Sequence, residues 1–146
     1  LAFLTLPPQG DARLSYVTIW NDPLVFVAAP FHPLANEKDL QLQDLIQYPS
    51  LLPAAQTYTT QITLAEFEKQ GVKPKITMSN NPLESIRMLV SIGLGWSVLP
   101  KTLVNHDLKQ LDINLQMNRQ LGMVWHPGRT QSRAVQELVA MMQQSI

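Results

Sequence analysis

Cysteine is missing from all 146 residues. That excludes a disulfide framework and a thiolate-held metal, and it is compatible with a reducing cytoplasm. Charge is also scarce. Charged residues make up 15%, and eleven basic side chains cancel eleven acidic ones. A domain that grips nucleic acid carries a basic excess, so this chain is not expected to hold DNA itself. Its three histidines show neither His-x-x-x-His nor Glu-x-x-His spacing, so no metal site is expected. There is no Gly-x-Ser-x-Gly elbow. Gly93-x-Gly95 falls at a helix end instead of opening a helix after a strand, so it is not a dinucleotide fingerprint. Without a nucleophile, a metal set or paired acids, the expectation is a chain that is no enzyme and needs no cofactor. No stretch is long and apolar enough to cross a membrane.

What remains is enough for a core, with hydrophobic residues at 45%. Leu1 to Leu6 reads as an apolar strand, stopped by the turn Pro7-Pro8-Gln9-Gly10-Asp11. Leu14 to Trp20 is extended, Asn21-Asp22-Pro23 reads as a turn, and Leu24 to Ala29 reads as a strand buried on both faces. Pro30 to Lys38 is loop, Leu40 to Tyr48 a short helix and Ser50 to Leu52 a brief strand. A helix over 61–70, with Ile62, Ala65 and Phe67 inward, ends at Gly71. Lys75 to Met78 is a strand, Lys101 to Val104 a helical turn, and Leu108 to Ile113 a crossing strand. Arg119 to Trp125 is extended. Ser132 to Gln144 is an amphipathic helix with Val135, Leu138, Val139 and Met142 on one face. The alternation points to an α/β chain with a largely parallel sheet.

The segment from Asn80 to Pro100 reads as one unit. Asn81 can cap a helix with Pro82 at its first position and Glu84 three residues after the cap. Leu83, Ile86, Leu89, Val90 and Gly93 repeat at helical spacing, Gly93 and Gly95 turn the chain, and Trp96 to Leu99 forms a strand closed by Pro100. This unit resembles the effector-binding domain of LysR-type transcriptional regulators, whose run ends in Gly-x-Gly-x-x-x-Leu-Pro. Asp22-Pro23-Leu24-Val25-Phe26-Val27 with His32-Pro33-Leu34-Ala35, the run Arg119 to Trp125, and Ser132-Arg133-Ala134 match the same pattern in order.

The resemblance implies a bilobal fold like that of type 2 periplasmic binding proteins, with mostly parallel sheets flanked by helices. Residues 22–113 would form one complete lobe. Residues 1–21 and 114–146 would form the other lobe, without its opening elements. The winged helix-turn-helix of such regulators is expected to precede residue 1, and DNA would be bound only through it. A small anionic metabolite would lie between the lobes, in a cytoplasmic homodimer or homotetramer with no membrane contact. An extracytoplasmic solute-binding protein of a transport system is the alternative on the same fold, and an enzyme on that scaffold is a third.

Thr57-Tyr58-Thr59-Thr60 precedes a helix, where backbone N–H groups lack partners. One threonine caps that helix, or the hydroxyls and the helix dipole receive an anion. The resemblance implies that Pro53, Gln56, Thr57, Tyr58, Thr59 and Thr60 face the effector cleft. Thr60→Val is then expected to weaken effector binding with little loss of stability. Of Asn80 and Asn81, one caps the second helix and the other can offer its amide to a ligand. Thr5 ends the first strand. Its residues alone read as an ordinary strand-end hydroxyl, and the resemblance places it at the cleft. His32 reads as a surface or turn residue.

Overall fold

The computed structural model describes residues 2–7, 12–79, 82–128 and 130–144. Asn80, Asn81 and most of the turn at 7–11 lie outside them. The chain divides into two compact units, Leu1–Asp22 with Asn118–Ile146, and Pro23–Met117.

In the first unit β1 (Ala2–Thr5) pairs antiparallel with β7 (Met117–Trp125), placing Phe3 opposite Met123 and Thr5 opposite Leu121. The other side of β7 meets the first half of β2 (Ser15–Ala28). Leu6, Met123 and Val124 are buried there. The last helix, α4 (Arg133–Gln144), opens on Ser132, whose hydroxyl accepts from Val135 N at 3.3 Å. Val135, Val139 and Met142 are partly covered and Leu138 is exposed.

In the second unit, the parallel pattern holds where the sequence alternates strand and helix. β3 (Pro49–Leu51) pairs parallel with β4 (Lys75–Met78) through α2 (Tyr58–Lys69). Trp96, just before β5 (Ser97–Pro100), bridges Ser50 in parallel after α3 (Leu83–Ser91). The other ladders correct the expectation of mostly parallel sheets. β2 pairs antiparallel with β5 and with β6 (Lys109–Gln110), and β1 with β7 is antiparallel too. Parallel neighbours need a crossover between them. The β3-α2-β4-α3-β5 run supplies crossovers, whereas β2 enters the unit from the opposite direction.

Other sequence expectations shift at their edges. Asn21-Asp22-Pro23 does not turn; β2 runs straight through it, and Asp22 instead pairs with Arg119. The short helix shrinks to α1 (Leu42–Leu45), started by the Asp44 carboxylate accepting from Gln41 N at 2.8 Å. Pro33–Asn36, read as loop, is a 3-10 turn. α3 begins one residue late, with Pro82 as its cap, and Pro82 O accepts from Ile86 N.

Side-chain alternation puts two cores on opposite faces of this sheet. Phe26, Trp96 and Val98 pack with Phe67 of α2, the Phe67 and Trp96 rings stacked at 5.7 Å. Val27, Leu51 and Leu99 pack with Ile86 and Val90 of α3. Burying large side chains of this kind contributes roughly 1.5–3 kcal/mol each. The expected α3 stripe is therefore present, while α2 turns Thr59, Thr60, Thr63 and Phe67 inward and leaves Ala65 exposed. Threonine fits a buried helix face when its hydroxyl bonds back to the helix, and Thr63 Oγ1 donates to Thr59 O at 2.8 Å.

Candidate functional site

The two helices lie on opposite faces because one crossover runs from β3 to β4 and the next runs back past β3 to β5. Leu52 N donates to Met78 O at 3.2 Å, so the chain leaves β3 and β4 side by side. One exit leads to α2 and the other to α3. Such a reversal at the carboxyl ends of parallel strands opens a crevice, and ligands of α/β sheets bind there.

The loop from Pro53 to Thr57 is built by its own hydrogen bonds. Thr57 N and Thr57 Oγ1 both donate to Ala54 O, at 2.9 and 2.7 Å. Thr57 is the N-cap of α2, accepting from Thr60 N through its side chain. Thr60 Oγ1 donates to Pro53 O at 2.8 Å, and both residues are buried. Gln56 is exposed, and its carbonyl accepts from Gln61 Nε2 at 3.2 Å.

These bonds separate the four adjacent candidates. The hydroxyls of Thr57 and Thr60 are committed to the loop. Thr59 is 3% exposed, yet its hydroxyl has no hydrogen-bond partner among the described residues. The first-turn N–H groups of Tyr58 and Thr59 have no intrahelical acceptor, and the first turn of α2 holds no acidic residue. Two amides therefore lie at the positive end of a twelve-residue helix, with the Thr59 hydroxyl on the same turn. That set suits a carboxylate or phosphate oxygen. Half-buried Tyr58 stands at the same turn.

The expectation that Thr60→Val spares stability does not survive this geometry, because valine would leave Pro53 O buried and unpaired. Pro53, Gln56 and Thr57 to Thr60 all lie on one loop-and-helix start. Thr5 belongs to the first unit, half-buried and paired with Leu121. Asn80 falls outside the described residues.

The sequence missed two features. Ser97 is fully buried on β5, and its hydroxyl has no hydrogen-bond partner among the described residues. His32 is a buried cap, not a surface residue. Its Nδ1 accepts from Leu34 N at 3.1 Å, its ring meets Tyr48 edge-on at 5.0 Å, and burial holds its pKa below the ordinary value. Proline after histidine signals such a turn, but burial is not written locally.

A cavity of about 440 Å³ lies at the other end of α2, lined by Leu64, Phe67, Val72 and Ile76 among others. It borders the helix C-terminus, where the dipole disfavours an anion. Among the described residues no cluster of His, Cys, Asp and Glu could hold a metal. No described helix is long and apolar enough to cross a membrane.

The family profile described as LysR substrate binding domain matches residues 1–146. A probable RuBisCO transcriptional regulator of Synechocystis is 25% identical over 138 residues, covering 88% of this chain and 40% of that protein. The activator CmpR of the same genus is 30% identical over 100 residues, covering 68% of this chain and 32% of its own length. The chain thus spans less than half of these curated relatives. Among solved structures, the CcmR regulatory domain of Synechocystis, in complex with 2-PG, superposes with a TM-score of 0.83 at 23% identity, covering 97% of this chain and 71% of that one. The effector-binding domain of QuiR, in complex with shikimate, gives 0.83 at 21%, covering 95% and 68%. The fold is that of the type 2 periplasmic binding proteins expected from the sequence, with more antiparallel pairing. These relatives are regulators, which favours the regulatory reading over the transport alternative. The chain belongs to the LysR substrate-binding-domain family.

Proposed function

We propose that this chain is the effector-sensing part of a LysR-type transcriptional regulator and that it receives a small anionic metabolite at the N-terminus of α2. The observation that carries the site is the pairing of unbonded first-turn amides with the unpartnered Thr59 hydroxyl, at the point where the chain leaves β3 beside β4. Tyr58 N–H, Thr59 N–H and Thr59 Oγ1 hold the anionic oxygens. Pro53, Gln56, Thr57 and Thr60 shape the loop.

No bond is broken in this reading. The effector acts by preferring one conformation of the domain over another, because equal affinity for both would shift nothing. DNA is contacted by a separate domain of the regulator, in keeping with the balanced charge of this chain. Self-association into dimers or tetramers in the cytoplasm belongs to the same proposal.

Isothermal calorimetry with shikimate, 2-PG and a panel of other small carboxylates and phosphate esters tests it. A saturable heat is expected from one class, weakened about tenfold by Thr59→Val, the loss of one hydrogen bond to a charged group. Equal affinity in parent and variant would remove the site. Turnover of a bound compound would replace sensing by catalysis.

A further inference from the structure

The ladder between β3 and β4 is not regular. Pro49 pairs with Lys75 and Ser50 with Ile76, but Leu51 pairs with Met78. One step along β3 therefore spans two along β4, and Thr77 is the extra residue. That is a β-bulge, a feature rare between parallel strands and frequent beside functional sites. This one lies where both strands end and the loop of the candidate site begins.

Two hydroxyls fasten it. Thr77 Oγ1 donates to Ser50 O at 3.1 Å, and Ser50 Oγ donates to Lys75 O at 2.8 Å. Ser50 is fully buried and Thr77 is exposed. In an unbroken parallel ladder with Ser50 beside Ile76, Leu52 N would reach the carbonyl of Thr77. Here it donates to Met78 O instead, at 3.2 Å. The added residue also inverts side-chain alternation beyond it. Met78 now stands beside Leu51, which packs with Ile86 and Val90 of α3. In a regular ladder Thr77 would hold that place.

The shift is passed on to α2 through hydrogen bonds. Proline has no N–H, so Leu52 N is the last backbone donor before Ala54, and the bulge decides which carbonyl it meets. The next residue, Pro53, accepts from Thr60 Oγ1 at 2.8 Å. Thr60 N in turn donates to the cap, Thr57 Oγ1. The first turn so held carries the Tyr58 and Thr59 amides. We infer that Thr77 is a positioning residue for the anion site at the start of α2, its hydroxyl fastening the bulge that sets Leu52 and Pro53. This role rests on the reading of that helix start given under Proposed function, and it asks for no contact between Thr77 and the ligand.

Two-dimensional NMR of the 146-residue chain, titrated with sodium acetate, tests it in the parent, in Thr77→Val and in Thr77→Ser. Valine keeps the branched shape without the hydroxyl, and serine keeps the hydroxyl. Acetate is expected to move the Tyr58 and Thr59 amide signals saturably in the parent. Thr77→Val should weaken that binding about three- to tenfold, the loss of one hydrogen bond, and speed exchange of Leu52 N–H by a similar factor. Thr77→Ser should restore both. Amides of α3 and of the β2–β5 ladder should exchange as in the parent, because the change is local. Equal acetate affinity in Thr77→Val and parent would overturn the positioning role and leave the site standing. A uniform rise in exchange across the unit would overturn it too, since Thr77 would then supply stability alone. Tyr58 and Thr59 amides that stay silent in the parent would remove the site itself, and the positioning role with it.

Discussion

Four consecutive hydroxyl residues, Thr57 to Thr60, look interchangeable in the sequence, and the tertiary structure gives them different work. Thr60 ties the helix start to Pro53 O, so Thr60→Val is expected to lower unfolding stability by about 1–2 kcal/mol in urea titration. Thr59 makes no such bond, and Thr59→Val is expected to leave the urea midpoint unchanged. Ser97 is the opposite case, a buried hydroxyl with no partner among the described residues. Ser97→Ala removes an uncompensated polar group, and stability should hold or rise by up to about 1 kcal/mol. A measured loss above that would mean the hydroxyl has a partner. His32 carries a pH dependence. Its neutral Nδ1 accepts from Leu34 N, and burial lowers its folded pKa below 6.5. Below that value the unfolded chain binds the proton more readily than the native one, so the contribution is complete above about pH 6.5 and is lost as pH falls through the folded pKa. Thermal melts across that range should show the decline in the parent. His32→Asn keeps a capping oxygen and should flatten it.

At the scale of elements, the helix ends were the most legible features, because their signals are local. Both α2 and α3 finish in the same motif. Gly71 has φ +70° and Val72 N donates to Phe67 O, while Gly93 has φ +92° and Leu94 N donates to Leu89 O. Only glycine adopts that conformation without penalty. Gly71 has open space around it, so Gly71→Ala isolates the backbone term, about 1 kcal/mol. At Gly95 a methyl would lie 2.4 Å from Pro49 O, within the bridge that brings Trp96 beside β3. Gly95→Ala should therefore cost more, about 2–3 kcal/mol by denaturant titration, because a backbone atom cannot step aside. Equal losses at the two positions would refute the steric account. The α3 stripe was also readable, since Ile86 and Val90 sit four apart on one face. The inward face of α2 was not, because threonines supply much of it and a polarity pattern counts them as solvent-facing. Asn21-Asp22-Pro23 misled for a related reason. Those residue types favour turns, but a partner 97 positions away keeps the strand straight.

For the molecule as a whole, sensing means linkage between ligand and fold. A true effector stabilises by mass action, about 2.7 kcal/mol at a hundredfold excess over Kd. The melting temperature should therefore keep climbing with concentration past saturation of the calorimetric signal. A compound that binds without raising it would act on something other than the native domain. By itself the sequence determined the class of protein, the order of strands and helices, the helix stops and the segment that opens α2, because periodicity, capping and turn chemistry act between near neighbours. Tertiary structure alone decided the direction of strand pairing, which of the hydroxyls from Thr57 to Thr60 are committed to the loop, and the burial of His32, Ser97 and Asp22. Those depend on which distant backbone arrives alongside, and no local pattern encodes that arrival.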